Sequence, residues 1–304
     1  MILVITSSID KTVDYLTERY KLANEFFRFD TDNFFQYEID YSDDWGFRIE
    51  HREKEVAEPQ INSIYYRKPM FRKVDGVDPV YFDFQKKEIY GLISGLVNQF
   101  DGKVLTKPNI LNYAGNKIVQ LKVASKIGFR IPRTRITNSK KFLQELGEDD
   151  LIIKPIQTGK IETPNGFDII HTNRVDPTLG YNNLNHCPSI FQEYIDKEYE
   201  LRVTLINDHF YCVKLNSQET RLGRVDWRKD ADNLSYELVD IPSKIRKMCK
   251  EFLEIFGLKF GAFDFIVNHD KYTFLEVNVN GQWLWLELRL NLDISRQIVK
   301  YLAE

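Results

Sequence analysis

The stretch GAFDFIVNHDKYTFLEVNVNGQW, residues 261–283, decides the fold of the C-terminal part of the chain. Apolar and polar residues alternate on both sides of residues 268–271, which is typical of two antiparallel strands joined by a turn. In the second strand one face is expected to be apolar and to carry Leu275, Val277 and Val279. The other face is expected to carry the polar residues Glu276, Asn278 and Asn280.

Two carboxylates of this hairpin, Asp264 and Glu276, lie on the polar faces of their strands. An odd turn centred on Asp270 would set them directly across the ladder, whereas an even turn without a bulge would put them on opposite faces. Together with Asn278 they would offer hard oxygen ligands, which suit Mg²⁺. A solvated polar face is the alternative, because alternating strands produce one routinely.

Segments upstream of the hairpin carry residues that suit phosphate and nucleotide binding. An apolar strand that begins at residue 151 ends in Lys154, whose ammonium group could meet a phosphate. Residues 190–195 predict a further strand, and in the strand after it Glu200 and Arg202 share a face. Lys117 opens a predicted helix. Taken singly, each of these charges is more often a solvated group than a ligand.

The order of these segments resembles that of the ATP-grasp enzymes, from about Leu105 to Glu304. The resemblance implies two α+β lobes with ATP between them. It also implies a reaction in which a carboxylate is phosphorylated to an acylphosphate, which an amine or a hydroxyl then attacks.

The same resemblance implies the residues of the site. Lys117 and Lys154 are expected to contact the ATP phosphates. The adenine and the ribose are expected against the segment Gln192, Glu193, Tyr194 and Ile195 and against Glu200. Mg²⁺ is expected on Asp264, Glu276 and Asn278.

A finer resemblance is to the ligases that cyclise ribosomally made peptides, the microviridin-type or graspetide synthetases, and it covers most of the chain. It rests on FRFDTDNF (27–34), YRKP (66–69), GNKIVQLKVA (115–124), FQEYIDKEYELRV (191–203), DWR (226–228) and NVNGQWLWLE (278–287). The resemblance implies that Asp or Glu side chains of a precursor peptide are joined to Thr or Ser hydroxyls as esters, or to Lys amines as amides. A homodimer is also implied.

Some segments depart from the patterns of these families or have no assigned role. Residues 157–166 lack the dense Gly-Ser pattern of many ATP-grasp nucleotide loops, so no phosphate contact is predicted within them. Arg67 and Lys68 stand where paired arginines are expected, and their role is open. Trp283 and Trp285 are expected to pack, or to form a wall of the substrate site.

Activation of a carboxylate by ATP requires cations rather than an enzyme nucleophile. Forming an ester or amide from a carboxylate in water is uphill, and phosphoryl transfer depends on positioned ions and cations. We expect Arg202 to stabilise the acylphosphate and its tetrahedral adduct. A guanidinium fork holds a carboxylate in a defined orientation, so Arg228 and Arg221 are the candidates for binding the acid of the substrate. Ordinary surface arginines are the alternative.

Composition argues against several other classes of protein. The 304 residues include 42 Lys and Arg against 45 Asp and Glu, so there is no basic excess for nucleic-acid binding. The three cysteines, Cys187, Cys212 and Cys249, lack disulfide or zinc-site spacing. No apolar run approaches the roughly 20 residues that span a membrane, and residues 1–16 lack the features of a signal peptide. We expect a cytoplasmic protein without nucleic-acid or membrane partners.

The N-terminal part predicts a small α/β domain. Strands at residues 2–6 and 25–29 flank a helical pattern, which makes a βαβ unit, and a hairpin is expected from Phe34 to His51 around residues 42–44. Together with this pattern, the resemblance implies the fold class α/β with α+β lobes, an ATP-grasp fold with an N-terminal pre-ATP-grasp-like domain. The expected segments are an N-terminal domain (1–106), linker helices with the small lobe (107–194) and the large lobe with the Mg²⁺, ATP and substrate sites (195–304).

Two other functions stay open. An ATP-grasp ligase that adds amino acids to the C-terminus of a protein or peptide would share the nucleotide site, and a non-catalytic nucleotide-binding module would share the fold. The complete set of Asp264, Glu276 and Asn278 favours catalysis. The residues 226–228 and 280–283 favour the peptide cyclase over the amino-acid ligase.

Overall fold

The computed structural model describes residues 1–73, 76–145, 150–157, 159–163 and 166–304. Parts of the 157–166 segment discussed above therefore lie outside the described residues. The strands are β1 (Ile2–Thr6), β2 (Phe26–Asp30), β3 (Glu38–Ser42), β4 (Gly46–His51), β5 (Lys54–Ala57), β6 (Ser63–Tyr66), β7 (Lys103–Leu105), β8 (Thr134–Thr137), β9 (Leu151–Lys154), β10 (Lys160–Thr163), β11 (Gly166–Ile169), β12 (Asn173–Arg174), β13 (Ser189–Glu193), β14 (Tyr199–Ile206), β15 (His209–Leu215), β16 (Tyr236–Leu238), β17 (Phe260–Asn268) and β18 (Lys271–Asn278). The helices are α1 (Lys11–Tyr20), α2 (Phe82–Gln99), α3 (Pro108–Ala114), α4 (Lys117–Ile127), α5 (Lys140–Gln144), α6 (Ser243–Phe256), α7 (Leu284–Leu290) and α8 (Ile294–Ala303).

The chain divides into two compact units. The first comprises residues 1–112, 257–260 and 282–304, and the second comprises residues 113–256 and 261–281. The division into three segments expected from the sequence stays a prediction.

The first unit is built on a parallel sheet with the strand order β2-β1-β6-β7. Because α1 joins β1 to β2, the predicted βαβ opening is confirmed. The Asp10 carboxylate accepts a hydrogen bond from the Thr12 N–H and so caps α1. A separate sheet, β3-β4-β5, contains the predicted hairpin. Its first strand begins at Glu38 rather than at Phe34, because residues 31–36 form a short 3-10 helix.

An apolar core lies on one face of the parallel sheet in the first unit. Leu3, Phe27 and Ile64, which share that face, pack with Ile93 and Val97 of α2. A fully buried aliphatic or aromatic side chain stabilises a fold by about 1.5–3 kcal/mol relative to exposure. The burial on α2 lies towards its C-terminal end, which leaves the start of that helix exposed.

The C-terminal helices α7 and α8 belong to the first unit. Glu287 of α7 is buried, and its carboxylate accepts hydrogen bonds from the Tyr15 hydroxyl (2.8 Å), the Ser295 N–H (2.6 Å) and the Ser295 hydroxyl (2.5 Å). The Leu302 carbonyl of α8 accepts a hydrogen bond from the Ser63 hydroxyl at 2.6 Å. Helix α7 was not predicted, because its seven residues are too few to show a helical period.

Two of the sequence motifs, residues 66–69 and 278–287, are joined within the first unit. The guanidinium group of Arg67 is buried, and its Nη2 donates a hydrogen bond to Gln282 Oε1 at 2.6 Å. The Thr12 hydroxyl donates to the same oxygen at 3.3 Å. Trp283 is also fully buried, so it packs in the interior of this unit and is not exposed as a wall. Arg67 and Gln282 therefore have a structural role, because their hydrogen bond joins the N-terminal and C-terminal segments of this unit.

The second unit contains two larger sheets, with the strand orders β12-β9-β13-β8 and β16-β15-β14-β17-β18. Helix α4 begins after Asn116, whose side chain accepts hydrogen bonds from the N–H groups of Ile118 and Val119. It ends at Gly128, where a φ of 98° favours glycine. Helix α6 buries one apolar face.

We predict that Glu287→Gln destabilises the fold. Glutamine keeps one acceptor but turns an NH₂ group towards groups that donate hydrogen bonds to the carboxylate, so the expected loss is about 2–3 kcal/mol in the free energy of unfolding. Urea unfolding measures it. Glu254→Gln on the exposed side of α6 is the control and is expected to stay within about 0.5 kcal/mol of the wild type. Equal stability of the two variants would contradict the role assigned to Glu287.

Candidate active site

The β17–β18 hairpin places Asp264 opposite Glu276 by means of a bulge. Its turn consists of His269 and Asp270, both with positive φ (46° and 58°), as in a type I′ turn. Such an even turn alone would set the two carboxylates on opposite faces. The register shifts between Asp264 and Phe265, with Leu275 as the extra residue, so that Asp264 pairs with Glu276 after all. The condition stated from the sequence is met through the bulge and not through an odd turn.

The bulge also changes the face on which Leu275 lies. Together with Ile266 it lines a pocket that contains Lys154 and Glu200, whereas Val277 is buried away from it. The expectation that Leu275 shares the face of Val277 was wrong, because an inserted residue reverses the alternation at that point. The site therefore gains an apolar side chain beside its carboxylates.

Asp264 is surrounded by donors of hydrogen bonds. Arg202 Nη1 lies 2.8 Å from Oδ1 and 2.9 Å from Oδ2 of this carboxylate. Asn278 Nδ2 donates to Oδ2 at 3.0 Å, and Arg228 Nη2 lies 3.4 Å from the same oxygen. Only 6% of Asp264 is exposed, so a like-charged neighbour across the ladder requires this compensation.

Glu276 is held by a second set of cations. Lys117 Nζ lies 3.2 Å from Oε2, and Arg228 Nη2 lies 3.4 Å from Oε1. Burial alone raises the pKa of Glu276, but Lys117, Lys154 and Arg228 outweigh it and lower the pKa to about 2. Lys117 Nζ also donates to the Pro155 carbonyl at 3.1 Å, directly after Lys154. Glu276 is therefore ionised at any physiological pH.

Lys154 lies at the end of β9, as predicted, and its environment weakens its basicity. Burial lowers the pKa of Lys154 to about 8, with Lys117 and Arg228 adding to the effect and Glu276 and Asp264 opposing it. A desolvated ammonium group among other cations favours binding of an anion that can replace its lost hydration.

The structure brings the residues predicted for the adenine and ribose into one pocket with Lys154. The pocket is lined by Gln192, Glu193, Tyr194, Ile195 and Glu200, with Ile152, Ile266 and Leu275 as apolar walls. The buried Gln192 amide donates to the Thr134 hydroxyl at 2.7 Å. Burial raises the pKa of Glu200, and Lys197, whose Nζ lies 2.5 Å from its Oε1, opposes this rise. Lys197 had not been singled out from the sequence.

Asp226 orients Arg228. It caps a short 3-10 helix, residues 227–233, and its carboxylate accepts hydrogen bonds from the Arg228 N–H at 3.1 Å and the Thr172 N–H at 3.2 Å. The guanidinium group of Arg228 then reaches both Asp264 and Glu276. The motif was visible in the sequence, but the role of Asp226 was not assigned.

The close packing around Gly281 explains why this position of the C-terminal motif is a glycine. A Cβ atom at this residue would lie 2.9 Å from Arg202 Nη2, and 3.0 Å from the Cβ atoms of Ala262 and Asn278. A side chain here would displace the guanidinium group that holds Asp264. Arg221, in contrast, is exposed and forms no hydrogen bond or ion pair with any residue that the structure describes, so it is not brought to the cluster.

The oxygen ligands predicted for Mg²⁺ form only a small set. Among the described residues no group of three or more His, Cys, Asp and Glu side chains is arranged to hold a metal ion. Asp264, Glu276 and Asn278 nevertheless share one end of the hairpin, and their carboxylate and amide oxygens are the donors that Mg²⁺ prefers. Two carboxylates and an amide fit an ion whose remaining ligands come from phosphate and water.

The chain was compared with known proteins. No protein-family model and no curated protein matches it, but solved structures do. A RiPP-associated ATP-grasp ligase from Chryseobacterium gregarium, in complex with ADP and with a leader and core peptide, is 28% identical, with 99% of this chain and 96% of that chain covered and a TM-score of 0.90. The macrocyclase MdnC of Microcystis aeruginosa, bound with the precursor peptide MdnA, is 27% identical, with coverage of 100% and 99% and a TM-score of 0.87.

A third similar structure is the macrocyclase MdnB of Microcystis aeruginosa, 26% identical, with coverage of 99% and 98% and a TM-score of 0.78. Fold and site together define an ATP-grasp ligase, and the predicted fold class is confirmed. Within that class the similarity extends over the whole chain to the ligases of RiPP biosynthesis, so the resemblance to the microviridin-type family is confirmed. The structure describes no helix long and apolar enough to cross a membrane.

We predict that Glu276→Gln lowers the pKa of Lys154 further, below about 8. The negative charge of Glu276 is the main influence that raises this pKa, and its loss leaves burial, Lys117 and Arg228 acting in the opposite direction. NMR titration of the Lys154 side chain measures the change. Glu254→Gln is the matched control and should leave the titration as it is in the wild type. A pKa that rises in Glu276→Gln would show that the cluster is arranged differently.

Proposed function

We propose that the protein is an ATP-dependent peptide macrocyclase. It phosphorylates Asp or Glu side chains of a ribosomally made precursor peptide and joins them to Thr or Ser hydroxyls, or to Lys amines. The observation that carries this proposal is the facing pair Asp264 and Glu276, surrounded by four cationic side chains beside a pocket. Such a cluster can neutralise a triphosphate and an acylphosphate, both of which carry several negative charges.

The pocket is the proposed nucleotide site. Its apolar walls, Ile152, Ile266 and Leu275, suit a base, and the backbone of Ile195 is proposed to offer hydrogen bonds to it. Glu200, which lines the same pocket, is proposed to bind the ribose hydroxyls. Lys154 lines this pocket, and Lys117 donates to the Pro155 carbonyl and contacts Glu276, so the phosphates of ATP are proposed to lie beside these two lysines. The similar ligase from Chryseobacterium gregarium was solved with ADP, which supports the assignment.

Asp264, Glu276 and Asn278 are proposed to hold Mg²⁺. When bound, the ion would neutralise phosphate charge and orient the γ-phosphate. Arg202 and Arg228 remain the groups that act on the substrate. Arg202 lies beside Asp264 and would stabilise the acylphosphate, and Arg228 would hold the acid that is to be activated.

The proposed reaction balances in two steps. An oxygen of the peptide carboxylate attacks the γ-phosphorus, and the bond to the β-phosphate oxygen breaks to release ADP. The hydroxyl or amine then attacks the acyl carbon, the C–O bond to phosphate breaks, and the proton of the nucleophile leaves with the phosphate. Each ring therefore costs the peptide one water and consumes one ATP.

Further parts of the proposal concern the surroundings of the enzyme. Its partner would be a precursor peptide with a leader and a core that contains acidic residues and Thr, Ser or Lys. MdnC was solved with its precursor peptide, which supports a peptide substrate. We also propose a homodimer, and the cytoplasm as the compartment that supplies ATP.

Mass spectrometry tests the function directly. The enzyme is incubated with ATP, Mg²⁺ and the acidic peptide encoded beside its gene, and we expect the peptide to lose the mass of one water for each ADP released. Glu276→Gln is expected to abolish both signals, since it removes a charge that Mg²⁺ needs. Gain of an amino-acid mass would identify an amino-acid ligase instead, and an unchanged peptide without ADP release would identify a non-catalytic module.

We predict that Arg228→Lys slows cyclisation by about a hundredfold. Lysine keeps the charge but lacks the planar fork that meets both carboxylate oxygens, so the acid is no longer aimed at the γ-phosphate. Turnover is followed by mass spectrometry, and affinity for a non-hydrolysable ATP analogue is measured beside it and is expected to change far less.

Two further variants provide the control and test the alternative arginine. Arg246→Lys on α6, whose guanidinium pairs with Asp240, is the matched control and should cyclise at the wild-type rate. Arg221→Lys examines the second arginine named from the sequence. If it slows cyclisation and Arg228→Lys does not, then Arg221 and not Arg228 holds the acid.

A further inference from the structure

Lys197 is a buried lysine without an assigned role in the proposed reaction. It lies between β13 and β14, and its side chain is only 2% exposed. Lysine is almost never buried to this extent unless it is paired. Its Nζ lies 2.5 Å from Glu200 Oε1 and donates a longer hydrogen bond, 3.4 Å, to the Val225 carbonyl. Lys197 and both of its partners line the pocket proposed for the nucleotide.

The backbone on both sides of Lys197 is attached to β17. The Glu198 N–H donates to the Val267 carbonyl at 2.9 Å. The Asp196 carbonyl accepts a hydrogen bond from the Asn268 side chain, also at 2.9 Å. These two contacts come directly before and after the lysine in the chain, so its ammonium group has a defined place in the pocket.

The carboxylate of Glu200 depends on this ammonium group. Glu200 is 7% exposed, and burial raises its pKa, which favours the uncharged form. Among the described residues Lys197 is the only cationic side chain within ion-pair distance of Glu200, and it lowers the pKa again. Without Lys197 the site would hold either an uncompensated buried charge or a carboxyl group that has taken up a proton.

The ion pair engages one carboxylate oxygen and leaves the other for a ligand. Oε1 of Glu200 accepts from Lys197, whereas Oε2 has no hydrogen bond with any residue that the structure describes. Buried polar side chains are paired in most proteins. An ionised carboxylate is an acceptor only, so the group that completes Glu200 within the pocket is a donor such as a hydroxyl.

We propose that Lys197 is a positioning residue for Glu200: it holds Oε1, so that Oε2 accepts a hydrogen bond from one ribose hydroxyl of the nucleotide. The site then prefers a ribonucleotide to the deoxyribonucleotide that lacks this hydroxyl. The inference rests on the proposed nucleotide site and adds the residue that sets its selectivity for the sugar.

Calorimetric titration of the full chain with ADP, 2′-deoxy-ADP and 3′-deoxy-ADP tests the proposal in the absence of peptide. For the wild type, one deoxy analogue is expected to bind about tenfold or more weakly than ADP, because a hydrogen bond to a charged acceptor is lost. In Lys197→Met this ratio of affinities is expected to fall to about threefold, as for a neutral acceptor. The ratio does not depend on how much of a sample is folded, so a merely structural role of Lys197 would leave it unchanged.

Lys250→Met is the matched control. It removes an ion pair with the same distance, since Lys250 Nζ on α6 lies 2.5 Å from Asp208 Oδ1. None of the residues proposed for the reaction takes part in that pair. This variant is therefore expected to discriminate between ADP and the deoxy analogues as the wild type does.

A double variant shows whether Lys197 acts through Glu200. Glu200→Gln alone is expected to reduce the ratio as Lys197→Met does, and the double variant should have the same ratio as each single variant. The double variant contains no uncompensated charge. If Lys197→Met does not fold, the comparison of the double variant with Glu200→Gln decides the question in its place.

Three results would overturn the proposal. They are a wild type that binds ADP and both deoxy analogues equally or not at all, a Lys197→Met variant that discriminates as the wild type does, and a double variant whose ratio falls below that of Glu200→Gln. Cyclisation of the peptide is followed separately by mass spectrometry. A chain that selects the ribose but forms no ring would contradict the proposed reaction and not the role of Lys197.

Discussion

The active site depends on one electrostatic constraint, the pairing of Asp264 with Glu276 across the β17–β18 ladder. Two like charges in that position are unfavourable, the more so because Asp264 is almost fully buried. Compensation comes from β9, α4, β14 and the 3-10 helix at residues 227–233, since each provides one cation of the cluster. Removing one member would leave an uncompensated charge in a partly desolvated place. The two carboxylates and the four cations therefore stabilise one another. The four elements are arranged so that their cations meet at this pair of carboxylates.

Sequence pattern alone predicted much of the secondary structure and left the hairpin register conditional. Alternation identified β17 and β18, and the helix predicted to open at Lys117 is α4. Such a pattern does not reveal the bulge, because Leu275 is apolar and keeps the two-residue spacing to Val277 and Val279. Only the two-residue turn at His269 and Asp270 reveals that one extra residue is needed for Asp264 to pair with Glu276. The wrong face given to Leu275 follows from that single missing fact.

The candidate site was predicted to a large extent through the family resemblance, and its supporting residues were not. Thr172 and Asp226 act through a contact between segments that are far apart in the chain, the hydrogen bond from the Thr172 N–H to Asp226. No local period encodes a contact of that kind. Gly281 likewise looks like an ordinary turn residue until the closeness of the Arg202 guanidinium group is known.

The cluster is prepared for an anion before any substrate chemistry begins. Arg202, Arg228 and Lys117 are oriented by the protein's own carboxylates and by the Pro155 carbonyl. Lys154 contributes differently, because burial lowers its pKa and no carboxylate lies within ion-pair distance of it among the described residues. Fixed cations need no reorganisation when phosphate charge arrives, which is the condition under which they stabilise a transition state most effectively. The desolvated lysine adds a drive for phosphate binding, because a phosphate oxygen replaces the hydration that the ammonium group has lost.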